Sequence, residues 1–79
     1  MTIEQLRKIH ESRPFRPFAV HLADRRKIRV PRPEFLWIPP RNQRTFVVSD
    51  VRGLVEVIDL LLVTSLKETN GRVPRRRSR

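Results

Sequence analysis

Cysteine is absent from the 79 residues, which excludes disulfide stapling, thiolate chemistry and zinc sites built on sulfur. Glycine is scarce: Gly53 and Gly71 are the only two, and they do not form a phosphate-cradling loop. Long apolar runs are missing too. The longest without a charge, residues 60–63, is far short of the roughly 20 residues of a membrane helix, so no span is expected. The first residues carry Glu4 and Glu11 and lack the apolar stretch of a secretory signal, which makes the cytoplasm the expected location. His10 and His21 stand apart, with no cluster of carboxylates to share a metal ion. Ser49, Thr64 and Ser65 have no histidine at a recognisable spacing, and Asp24, Asp50 and Asp59 suit turns and a helix start rather than acid and base roles. The expectation is a protein that is no enzyme and uses no cofactor or metal.

Acidic residues are the last scarcity. Eight face eighteen lysines and arginines, giving a net charge of +10 and an isoelectric point near 11.8. Such a balance favours polyanionic partners, nucleic acid among them. A chain of this length buries only roughly 60% of the surface it exposes when unfolded, so every large apolar side chain counts, and self-association is one way to add stability.

What is present reads mainly as β structure. Thr2 and Gln5 have the spacing of a capping box, and Ile3, Leu6 and Ile9 recur on one side, which predicts a helix over residues 3–12, stopped at Arg13 and Pro14. Phe18, Val20 and Leu22 alternate with Ala19 and His21. After a turn at residues 23–26, Ile28 and Val30 alternate with Lys27 and Arg29, so the pair predicts a hairpin with one apolar face. Residues 35–38 are apolar on both faces, and either Leu36 with Ile38 or Phe35 with Trp37 must be covered elsewhere or left on the surface. Residues 45–49 form a third strand with Phe46 and Val48 on one face. A turn at residues 50–53 leads to a strand over 54–58, in which Val55 and Val57 are expected to point inward and Glu56 outward. Asp59 can cap one tight helical turn before a last strand over residues 63–67. Residues 70–79, without apolar periodicity, are expected to be a disordered basic tail, leaving residues 1–69 as a single small domain. The fold expected is mainly β with a short N-terminal helix: a small, strongly bent antiparallel sheet or partly open barrel of about five strands, of the Sm-like or SH3-like kind by architecture alone.

At the level of motifs, RPFRPF, LADRRKIRV, PRPEFL and VIDLLLVTSL resemble a family of short uncharacterised bacterial proteins, chiefly planctomycetal, with the pattern RPFxPF, LADGR, HPEF and a late ID. The resemblance covers roughly residues 1–68 and implies no activity. Arg25 stands where the pattern has glycine and Arg32 where it has histidine; without that glycine, a two-residue type I′ loop is disfavoured.

Candidate sites follow from charge and aromatics. Arg25, Arg26, Lys27 and Arg29 cluster at the hairpin tip, Arg41 and Arg44 in a later loop, and Arg72, Arg75, Arg76, Arg77 and Arg79 in the tail. Removing the tail arginines leaves thirteen basic residues against eight acidic ones, a net +5, so the body is itself basic. These residues are the candidate contacts to nucleic acid or another polyanion, with weak, sequence-independent binding expected. Trp37 is placed in the core in preference to an exposed stacking position, because so small a domain needs its bulk. Phe35 and Trp37 nevertheless form the candidate patch for the alternative, a protein-interaction or self-assembling module with no nucleic-acid role.

Overall fold

The computed structural model describes residues 1–41 and 44–69. Helix α1, Ile3–His10, begins with the capping box that Thr2 and Gln5 announce: the Gln5 backbone N–H donates to Thr2 Oγ1 at 3.2 Å, and the Thr2 N–H donates to Gln5 Oε1 at 2.9 Å. Its buried residues are Ile3 and Leu6, with Ile9 packed at the margin of the core. The helix is two residues shorter than expected. The Glu11 N–H closes the last turn on the Arg7 carbonyl at 2.8 Å, and the Ser12 hydroxyl donates back to the Ile9 carbonyl at 3.0 Å. Such a side-chain bond replaces a further helical turn before Pro14.

Six strands follow: β1 Phe18–Leu22, β2 Lys27–Val30, β3 Leu36–Trp37, β4 Thr45–Ser49, β5 Val55–Asp59 and β6 Val63–Glu68. Single 3-10 turns, Pro33–Phe35 and Leu60–Leu62, precede β3 and β6. The second is capped as expected, by the Asp59 carboxylate accepting the Leu61 N–H at 2.9 Å. The strands form two antiparallel three-stranded sheets, ordered β2-β1-β6 and β3-β4-β5, which do not close into a barrel. Phe18 and Val20 face Val30 and Ile28 across the first sheet, while Phe46 faces Ile58 across the second. Fully buried Phe18, Val20, Val30, Phe46 and Ile58 join Leu36, Leu60 and the helix residues in one core between the sheets.

Both turns use aspartate and a left-handed residue. In the first, the Leu22 N–H donates to the Arg26 carbonyl at 2.9 Å and the Arg25 N–H to the Leu22 carbonyl at 3.0 Å, with Arg25 at φ 74°. This is a three-residue hairpin loop whose last position favours glycine, and not the two-residue form that the missing glycine disfavours. In the second, Asp50 Oδ1 accepts the N–H groups of Arg52 and Leu54 at 2.9 and 3.0 Å, and Gly53 takes φ 85°.

Two expectations are overturned. Val55 and Val57 point outward and are each 65% exposed, whereas Ile58 is buried. The sequence VEVID is apolar on both parities, and the pairing of Phe46 with Ile58 decides which parity turns inward. Trp37 is not a core residue either, being 57% exposed. Leu36 pairs with buried Val48 and takes the inner position, with Ile38 also buried, so the two-residue strand β3 has no inner place for the indole. Phe35 is half-buried against the core. The expected tail over residues 70–79 lies outside the described residues.

Candidate functional site

The register of the first sheet sets which side chains share its face away from the core, where Ala19 on the middle strand is itself buried and the side chains on the two flanking strands are exposed. Arg29, Ala19 and Lys67 form one row across β2, β1 and β6, and Lys27, His21 and Ser65 form the next. Lys27, Arg29 and Lys67 are all exposed. Three cations from two strands therefore stand on one face, and no carboxylate occupies any of its six paired outward positions. Strand geometry sets Arg29 and Lys67 about 10 Å apart at the backbone, across two strand spacings, and Lys27 about 7 Å from Arg29 along β2.

Arg26, although beside them in sequence, has a different partner. Its Nη1 and Nη2 donate to Glu56 Oε1 and Oε2 at 3.0 and 2.8 Å, and its Nε donates to Asp24 Oδ2 at 3.1 Å. The hydrogen bonds with Glu56 raise the Arg26 pKa above its already high ordinary value, and the hydrogen bonds from Arg26 hold Glu56 below the ordinary carboxylate value. Arg26 is thereby committed to joining the hairpin tip of the first sheet to β5 of the second. Arg25 is exposed at the tip of the hairpin. Arg41, at φ 64°, and Arg44 lie in the β3–β4 loop, apart from the paired rows of the first sheet, and Arg44 meets Asp59 at 3.5 Å. Arg72, Arg75, Arg76, Arg77 and Arg79 lie outside the described residues.

The second sheet presents a different outward face. Trp37, Val47 and Val57 are in lateral register across all three strands, an uncharged apolar row with exposed Val55 diagonal to it. Phe35 is separated from this row. It lines a groove of about 640 Å³ between β2 and the β4–β5 turn, with Ile28, Val48 and Leu54 among its apolar walls.

Sequence reasoning missed Lys67, Val47 and Val57 as members of these faces. Lys67 joins Arg29 only through the pairing of β1 with β6, and no local pattern announces that pairing. His10 Nε2 lies 2.7 Å from the Pro33 carbonyl, tying α1 to the turn before β3. Among the described residues no group of histidine, aspartate and glutamate side chains could hold a metal ion, and no helix is long and apolar enough to cross a membrane. No family model, curated protein or solved structure matches the chain.

Proposed function

We propose that the protein is a small binding module for the phosphate backbone of nucleic acid, with the outward face of the first sheet as its docking surface. The observation that carries this reading is the grouping of Lys27, Arg29 and Lys67 with no carboxylate among the paired outward positions. Phosphate contacts position a protein without reading bases, and this face has no phenylalanine, tyrosine or tryptophan on which a base could stack, its one ring being the half-buried imidazole of His21, so binding is weak, sensitive to salt and indifferent to sequence. Protein purified at low salt carries nucleic acid, visible as a raised ratio of absorbance at 260 to 280 nm, and a high-salt wash removes it. A ratio already that of pure protein before the wash counts against the reading.

The row of Trp37, Val47 and Val57 favours a second reading, a protein contact through the second sheet. Sedimentation of the wild type and Trp37→Ser over a range of concentrations tests it for self-association: the reading requires a larger species that the substitution removes.

A further inference from the structure

We propose that the free edge of β2 takes an extended peptide as an added antiparallel strand, and that the peptide it fits alternates apolar and acidic residues. This goes beyond the nucleic-acid reading, because it uses backbone groups and the groove rather than the cationic face alone. The register settles which backbone groups are available. The bond from the Leu22 N–H to the Arg26 carbonyl fixes Val20 with Ile28 and Phe18 with Val30 as the hydrogen-bonded pairs of the hairpin, since these alternate along an antiparallel ladder. The N–H and C=O groups of Lys27 and Arg29 therefore turn away from β1. Among the described residues β2 pairs with β1 alone, so this edge is open.

The groove runs along the same stretch of β2, and a volume of about 640 Å³ lies within the range of ligand pockets, roughly 300 to 1,000 Å³. Its walls choose the partner. An added strand puts alternate side chains on opposite faces: those beside Ile28 enter the groove against Phe35, Val48 and Leu54, and those directly opposite Lys27 and Arg29 emerge beside two exposed cations. Apolar residues suit the first set. Carboxylates suit the second, because opposite charges facing each other across strands attract and like charges repel. Glu56 on the far wall does not spoil this match, since both of its oxygens are held by Arg26.

The probe is a blocked six-residue peptide of alternating valine and glutamate, titrated into the isotopically labelled full chain and followed by amide NMR shifts. The expected result is a shift of the Lys27, Ile28 and Arg29 amides together with that of Val55, which also lines the groove. The hydrogen-bonded pairs of the added strand are those opposite Lys27 and Arg29, so methylating the glutamate backbone nitrogens weakens binding at least tenfold, while methylating the valine nitrogens leaves it nearly unchanged. Lys27→Glu with Arg29→Glu, both at exposed positions, reverses the preference toward a peptide of alternating valine and lysine. Shifts confined to the Trp37 face, equal binding of both methylated peptides, or no shift at all would overturn the proposal. The titration uses no nucleic acid, so its failure leaves the phosphate-binding reading untouched.

Discussion

The Arg26 guanidinium holds both carboxylate oxygens of Glu56, at 3.0 and 2.8 Å, across the gap between the two sheets. The pair joins β5 to a hairpin tip that no backbone ladder ties to it. Because Glu56 titrates below its ordinary value in the folded chain, the pair adds stability above the unfolded glutamate pKa of about 4.3, and that stability is lost as pH falls through the lower folded value. Arg26→Gln should therefore lower the melting temperature at pH 7 and lose that effect in acid. Both side chains are close to half exposed, so the effect is small and salt-screened. Thermal melts of Arg26→Gln, Glu56→Gln and the double variant check this: each single change should lower Tm, and the double change should lower it little further. Additive losses, or a loss for Arg26→Gln that persists in acid, would show that the pair is not the cause.

Arg25 adopts φ 74°, which costs a residue with a Cβ about 1 to 2 kcal/mol relative to the right-handed region. Glycine avoids that cost but loses roughly 0.5 to 1 kcal/mol through its greater freedom in the unfolded chain. Arg25→Gly should be stabilising on balance, by about 0.5 kcal/mol, read as a rise of a few degrees in the melting temperature. A fall would mean that the arginine side chain contributes more than its strained backbone costs.

Val20 and Trp37 are both apolar strand residues with opposite fates. Val20 is fully buried between Ile28 and Leu66, so Val20→Asp places a charge without a partner in the core, at a cost of several kcal/mol, and should unfold the domain. Trp37→Ser should leave a cooperatively folded chain, because more than half of the indole is already in water. Circular dichroism and the dispersion of NMR spectra distinguish the outcomes. A folded Val20→Asp or an unfolded Trp37→Ser would contradict the assignment of inner and outer faces.

These residues also show how far the sequence alone leads. The hairpin was legible because its apolar residues keep one parity from Phe18 to Leu22 and again from Ile28 to Val30, and the capping box and the Asp59 turn were legible because they are local chemistry. The inward face of β5 was not. Val55, Val57 and Ile58 offer apolar side chains on both parities, and only pairing with β4 across the Asp50 turn selects Ile58. Trp37 was misplaced for a related reason, since an argument from bulk ignores that its neighbour Leu36 takes the inner position of so short a strand. At the site, Lys27 and Arg29 could be named from the sequence, but Lys67 could not, because it reaches them through a partner strand more than forty positions away from β1.

The central claim is that Lys27, Arg29 and Lys67 act together on a phosphate backbone, and the most direct test is the salt dependence of binding. A labelled single-stranded oligonucleotide is titrated with the wild type and with the triple variant Lys27→Gln, Arg29→Gln, Lys67→Gln across a series of salt concentrations. Each phosphate contact on a single strand contributes roughly 0.7 to the slope of log affinity against log salt, so losing three should flatten the slope by about 2. Identical slopes for the two proteins, or no binding by the wild type at low salt, would contradict the account.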